Sequence, residues 1–198
     1  MRSFVIGDIH GQDEALVSVL SKCGFVYEED RLIVLGDIYD GLKPEACIEH
    51  LKTIRHLVSI MGNHDHAVMD MQIREGQYAP ETMFLKSMRS FFTEDGRFFA
   101  HGGFDPYKPL TEQDEYDLEG SRKLPSEAWK AHMRGDDFMI DGFREVYVGH
   151  TPTQIYGFTT PLNLGNLWMM DTGAAPRLGG YLSVMDIDTK EFWQVKCC

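Results

Sequence analysis

Six short polar segments carry the residues best suited to chemistry, and each follows a short apolar run. Asp8 and His10 stand in Gly7-Asp8-Ile9-His10-Gly11, after Phe4-Val5-Ile6. Asp37 and Asp40 stand in Gly36-Asp37-Ile38-Tyr39-Asp40-Gly41, after Leu32 to Leu35. Asn63 and His64 follow Leu57 to Met61, His101 follows Phe98 to Ala100, His150 follows Val146 to Val148, and Asp171 follows Leu167 to Met170. Asp8, His10, Asp37, Asn63, His101 and His150 together offer two carboxylates, three imidazoles and one amide. That mixed oxygen and nitrogen set suits manganese, iron or zinc, and neither an all-oxygen calcium site nor a thiolate zinc site. Six side chains exceed the needs of one open catalytic metal. They suit two metals sharing a bridging carboxylate, about 3.5–4 Å apart, an arrangement specialised for displacement at phosphorus. Taken singly, a strand-end Asp is ordinarily a turn residue and a lone His a satisfied polar neighbour. Recurrence at one topological position, each time beside Gly, is what points to a shared site, because Gly permits tight turns and close backbone approach.

The elements that must position these residues alternate. The apolar runs are short and rich in Val, Ile and Phe, as buried strands are. Between them lie helical patterns: Glu14 to Cys23, with Gly24 as its stop; Pro44 to Leu51, with Pro at the start; and Pro80 to Phe92, with Met83, Phe84, Met88, Phe91 and Phe92 largely on one face. Strands alternating with helices predict an α/β domain over residues 1–198 with a substantially parallel sheet, and ligands collect beyond the carboxyl ends of such strands. Tyr181 to Asp186 and Glu191 to Val195, flanking Ile187-Asp188-Thr189-Lys190, read instead as an antiparallel C-terminal hairpin. The acidic stretch from Asp105 to Asp141 reads as helix and loop covering the sheet.

The chain has 198 residues, 43% hydrophobic and 25% charged, which excludes disordered, collagen-like and disulfide-scaffold classes. No apolar run reaches the ~18–20 residues of a membrane span, and no apolar segment follows Arg2 as in a secretory leader. The net charge of −12 opposes nucleic acid and anionic lipid as partners. A metal site can still reverse the sign locally and admit an anionic substrate. Cys23, Cys47, Cys197 and Cys198 form no CxxC pair, and they read as reduced thiols of a cytoplasmic protein.

The ordered set GDIHG, GDIYDG, GNHD, HGG and GHT resembles the calcineurin-like metallophosphoesterases. It is closest to their phosphoprotein-phosphatase branch, which includes bacterial and phage protein phosphatases and symmetrical diadenosine tetraphosphate hydrolases. The resemblance runs from Gly7 to about Trp193, takes in Asp171-Thr172-Gly173-Ala174, and implies a layered metallophosphoesterase fold. It further implies that Asp8 and His10 bind a first metal, that Asp37 bridges, and that Asn63, His101 and His150 complete a second. His64 matches the general acid beside the leaving oxygen, and Asp40 the carboxylate that orients it. The neutral ligands keep two divalent cations in positive excess over Asp8, Asp37 and a bridging hydroxide, so a phosphate dianion is attracted. That hydroxide, formed near neutral pH, would attack phosphorus in line while His64 protonates the departing oxygen.

One departure concerns phosphate binding. The family pattern continues GDxxDRG, whereas here Asp40 is followed directly by Gly41, Leu42 and Lys43. Lys43 is a substitute point charge, and Arg122 matches a second phosphate-binding Arg, with Arg134 as runner-up. The leading expectation is a two-metal phosphatase for phosphomonoesters, with phosphorylated Ser/Thr proteins as substrates. A dinucleoside polyphosphate hydrolase is the enzymatic alternative and a non-catalytic metal-binding interaction module the further one.

Overall fold

The computed structural model describes residues 1–76 and 79–197. Cys198 lies outside the described residues. In chain order the strands and helices are β1 (Ser3–Ile6), α1 (Asp13–Lys22), β2 (Arg31–Val34), α2 (Pro44–Lys52), β3 (His56–Ser59), α3 (Asn63–Arg74), α4 (Pro80–Lys86), β4 (Phe91–Glu94) and β5 (Arg97–Ala100). Then follow α5 (Lys123–Arg134), β6 (Glu145–Val148), β7 (Leu162–Leu164), β8 (Leu167–Met169), β9 (Tyr181–Asp186) and β10 (Phe192–Lys196). No helix among the described residues is long and apolar enough to cross a membrane.

The strands form two five-stranded sheets, ordered β10-β9-β1-β2-β3 and β4-β5-β6-β8-β7. β1, β2 and β3 pair in parallel, as do β5, β6 and β8; antiparallel strands flank the second sheet on both sides and the first on the β9–β10 side, leaving β3 as a parallel edge. The C-terminal hairpin forms as expected. The parallel strands expected from the strand–helix alternation are present, divided between two sheets.

Side-chain alternation explains the layering. Phe4 and Ile6 of β1 join Leu32 and Val34 of β2 under α1 and α2, while Val5 and Ile33 face the other way. There they meet Phe99 of β5 and Tyr147 of β6, whose rings stack at 4.9 Å and 10°. On the far side, Phe98, Val146 and Val148 pack with Leu124 and Ala128 of α5. Each central strand is therefore buried on both faces, which is why these runs are continuously apolar. The result is four layers: helix, sheet, sheet, helix.

The helix expected from Pro80 to Phe92 stops at Lys86, and Phe91 and Phe92 lie in β4. The buried residues of α4 are Thr82 and Leu85, whereas Met83 is exposed. β4 turns into β5 through Asp95-Gly96, with φ of 50° and 73°, the left-handed pair that a two-residue hairpin requires. The segment from Asp105 to Asp141 contains a 3-10 turn at Leu110–Glu112, a π turn at Tyr116–Gly120 and α5, which covers the second sheet. Cys23 and Cys47 are free and buried, and Cys197 is buried as well.

Candidate metal centre

The carboxyl ends of the parallel strands from both sheets meet at one seam. The first sheet brings Asp8 and His10 after β1, Asp37 after β2, and Asn63 at the start of α3; the second brings His101 after β5 and His150 after β6. Ligand atoms of Asp8, His10 and Asp37 all lie within 4.8 Å of one another, and so do those of Asp37, His101 and His150. Asp37 belongs to both groups. Asn63 Oδ1 lies 3.2 Å from His101 Nε2, which places it with the second group. All six residues named from the sequence for this role are brought together.

The loops hold one another through backbone amides. The His150 N–H donates to Asp8 Oδ1 at 3.0 Å, and the His64 N–H donates to Asp37 Oδ1 at 3.0 Å. A Cβ on Gly149 would collide with Asp8 Oδ1, and one on Gly62 with Asp37 Oδ1. These two glycines thus let one loop's backbone reach the carboxylate of another. His10, Asp37 and His150 have φ of 47°, 50° and 60°. Three non-Gly residues in the left-handed region at one site mark backbone strain held by the surrounding structure.

The imidazoles are aimed by their outer nitrogens. His101 Nδ1–H donates to the Leu35 carbonyl at 2.7 Å, leaving Nε2 facing Asp37 Oδ2 at 3.3 Å. His150 Nε2–H donates to the Gly120 carbonyl at 2.9 Å, which turns Nδ1 inward. This is how metal-binding histidines are oriented and their tautomers set. Burial, with His101 and Arg122 nearby, pushes His150 down to about 3, so its ring is neutral. Burial also lowers His10. Burial and the charge of Asp171 hold Asp8 well above the usual carboxylate range. For Asp37, burial is outweighed by His101 and His10, and its pKa falls well below that range. Buried carboxylates converging with imidazoles and an amide fit two divalent cations sharing Asp37.

His64 sits beside this group, 36% exposed, with Nδ1 3.0 Å from Asp40 Oδ2 and Nε2 4.0 Å from Asp37 Oδ2. Asp40 Oδ2 is also 3.4 Å from His10 Nδ1. Arg122 immediately precedes α5, and its Nη2 donates to the His150 carbonyl at 3.3 Å. Arg134, at the opposite end of α5, pairs with Asp136 at 2.7 Å. Lys43 directs its Nζ to Glu14 Oε1 at 2.8 Å on α1. Gly41, where the phosphate-binding Arg of the family pattern is lost, has φ of 89° and packs directly against the His10 carbonyl, a position closed to any side chain.

The sequence reading left Asp65 without a role, and the structure supplies one. Asp65 is fully buried; its Oδ1 accepts the N–H groups of Ile38 at 2.9 Å and Tyr39 at 2.7 Å, and its Oδ2 accepts that of Gly62 at 3.1 Å. It ties the Asp37 loop to the start of α3. The legible signal was an acidic residue at the third position of a helix, where it can reach back to the residue before the helix. Burial and the charge of Asp37 lift its pKa to about 7.

Asp65→Ala strands these buried donors, at about 1–3 kcal/mol for each one left unpaired. Urea unfolding should show a clear loss of stability together with weaker metal uptake, and Asp65→Asn, which keeps an acceptor for Ile38 and Tyr39, should lose less. Wild-type stability in Asp65→Ala would refute the tie. A second expectation concerns protons. Burial pulls the His101 pKa down, but the charges of Asp37 and Asp8 outweigh it and raise it to about 10. A cation taking Nε2 must expel that proton, so metal binding at neutral pH should release protons and tighten as pH rises towards about 10. Calorimetry in two buffers of different ionisation enthalpy measures this, and identical heats in both would contradict it.

The calcineurin-like phosphoesterase family model matches residues 1–174. Serine/threonine-protein phosphatase 2 of Salmonella typhimurium is 31% identical over 116 residues, covering 56% of this chain and 42% of that protein. The symmetrical bis(5'-nucleosyl)-tetraphosphatase of Aromatoleum aromaticum is 26% identical, covering 69% of this chain and 58% of that protein. The chain thus spans about half the length of these curated relatives. It matches Salmonella serine/threonine-protein phosphatase 1 over 93% of this chain and 91% of that one, at 25% identity. A solved structure assigned provisionally as a diadenosine tetraphosphatase shares the fold with a TM-score of 0.78 at 18% identity, over 100% of this chain and 94% of that chain. A Sphaerobacter thermophilus metallophosphoesterase shares it with a TM-score of 0.62 at 19% identity, over 100% of this chain and 89% of that chain. With its family model spanning both groups of ligands that meet at Asp37, this chain belongs to the calcineurin-like phosphoesterases.

Proposed function

We propose that this chain is a two-metal phosphatase that hydrolyses phosphomonoesters, with phosphorylated Ser/Thr proteins as its substrates. One observation carries the reading: two buried donor groups share Asp37 beside a His64–Asp40 pair. Asp8, His10 and Asp37 would hold one divalent cation, and Asp37, Asn63, His101 and His150 the other. Manganese or iron suits this set first, and zinc also fits. When bound, the cations supply Lewis acidity and a water acidic enough to act as nucleophile near neutral pH.

The chain's own groups do the rest. Asp40 accepts the Nδ1–H of His64 and fixes the ring with Nε2 turned to the side of Asp37, so the doubly protonated ring holds its second, transferable proton on Nε2. His64 delivers that proton to the departing oxygen. Arg122, beside the His150 carbonyl, grips the phosphoryl oxygens, and its fork suits that task better than an ammonium group would. Lys43, paired to Glu14, adds charge only at long range. A non-catalytic module would have no use for the His64–Asp40 pair. The free, buried thiols of Cys23 and Cys47 are consistent with a reducing cytoplasmic setting.

Hydrolysis of a dinucleoside polyphosphate is the second reading, favoured by the relatives named symmetrical bis(5'-nucleosyl)-tetraphosphatases. The same centre would cleave an anhydride. Metal-reconstituted protein assayed on phosphopeptides and on dinucleoside tetraphosphates decides between them: a higher kcat/KM on the dinucleotides would overturn the phosphoprotein assignment.

His64→Ala should lower kcat about 10²–10⁴-fold with metal content intact. The loss should shrink on aryl phosphates, whose leaving groups need no proton, and equal losses on aryl and alkyl phosphates would rule out the general-acid role. Arg122→Ala should raise KM and lower kcat/KM by the equivalent of about 1.5–3 kcal/mol, the scale of a hydrogen bond to a charged group. Arg134→Ala should change little, because that side chain is engaged with Asp136. The reverse ranking in steady-state kinetics would show that the wrong arginine was chosen.

A further inference from the structure

A second convergence of ligand atoms lies outside the metal centre. His66 Nδ1 is 2.9 Å from Glu119 Oε2 and 3.4 Å from Glu115 Oε1, and one ligand atom from each of the three residues falls within a 4.8 Å group. Glu119 is 4% exposed, so its charge is almost wholly removed from water and needs a positive partner. An imidazole at the focus separates this cluster from a solvated acidic patch. Its other nitrogen, Nε2, faces away from Glu115 and Glu119, with Asp70 Oδ1 3.8 Å from it.

The backbone builds the convergence from two directions. His66 lies one helical turn beyond Asn63 on α3, so both project from the same side of that helix. Glu115 immediately precedes the π turn Tyr116–Gly120, closed by the Ser121 N–H donating to the Tyr116 carbonyl at 2.8 Å, and Glu119 lies within it. Such turns are rare and concentrate at functional sites. Between the two elements opens a cavity of about 230 Å³, whose wall includes the triad, Asn63 and Gly120.

We propose that His66, Glu115 and Glu119 bind a third divalent cation, distinct from the pair held around Asp37. One imidazole nitrogen and two carboxylates balance a charge of +2 and leave positions for water, a donor set suited to manganese or zinc. The site needs none of the six ligands of the main centre, so the two can be counted separately.

Equilibrium dialysis of chelator-treated full-length protein against Mn²⁺, with bound metal measured per chain, tests this. Wild-type protein should take up one ion more than Glu115→Gln or His66→Gln, or hold that ion at least about tenfold more tightly. Glu115 is largely exposed, so its variant removes a ligand without disturbing the core. Asp37→Asn should instead reduce uptake at the main centre and leave the ion at His66 in place. Glu115→Gln and His66→Gln proteins that match the wild type in both stoichiometry and affinity would overturn the proposal, whatever count the main centre shows.

Discussion

The carboxylate of Asp37 is buried at the meeting point of two sheets, and the site is arranged around keeping it charged there. Burial alone would neutralise it. Opposing this are the imidazoles of His10, His64 and His101, whose ring nitrogens lie 3.3–4.0 Å from its Oδ2, and the backbone N–H of His64. Those partners come from three different strand ends. The constraint is therefore global: the first sheet must hold Asp8 and Asp37, the second His101 and His150, and the sheets must face each other closely. The apolar layer of Val5, Ile33, Phe99 and Tyr147 meets that demand. A shift of one sheet against the other would separate donors that no single loop could bring back.

Helix α3 ties the local and the global requirement together. It begins at Asn63, so its first amides and the positive end of its dipole face the Asp37 carboxylate. Asp65 then anchors the same turn to the Asp37 loop. The glycines beside the ligands follow from this closeness: the His64 and His150 amides reach Asp37 and Asp8 only where the neighbouring residue has no side chain.

Much of the site was legible in the sequence because its ligands recur at strand ends, and parallel strands deliver their carboxyl ends to one edge. The six donors, His64 and Asp40 all sit where that logic places them. What escaped lay where local pattern and tertiary role diverge. Only the first residues of α3, to Asp65, stand out in the sequence, and as a polar segment, because its buried residues are Asp65 and Gln72 and no apolar stripe announces the helix. Phe91 and Phe92 fit a helical face by spacing, yet the Asp95-Gly96 turn makes them a hairpin strand. Gly165-Asn166 joins β7 to β8 in another two-residue hairpin, with the positive φ at Gly165 alone, and was equally readable. The division into two sheets could not be read from alternation, since a strand buried against a helix and a sheet carries the same apolar run as one buried between helices.

The proposed phosphatase activity raises the question of what would make the site of an acidic protein attractive to anions. The surface does not: 31 acidic residues face 19 basic ones. Ligand type does. With cations bound, Asp8 and Asp37 would be the charged donors, while His10, His101, His150 and Asn63 bring no negative charge, and burial keeps His150 neutral by pushing it down to about 3. Two divalent cations in such a set retain an excess of positive charge, at a place where low dielectric strengthens its reach. Exchanging a neutral ligand for a carboxylate would preserve coordination and cancel that excess. Arg122, adjoining His150, extends the positive field towards solvent where the loss of the Arg after Asp40 has removed another source. Substrate attraction thus depends on which donors are neutral as much as on which are charged, and it tolerates an exterior of the opposite sign because the ordinary Debye screening of about 8 Å keeps distant surface carboxylates from reaching the site.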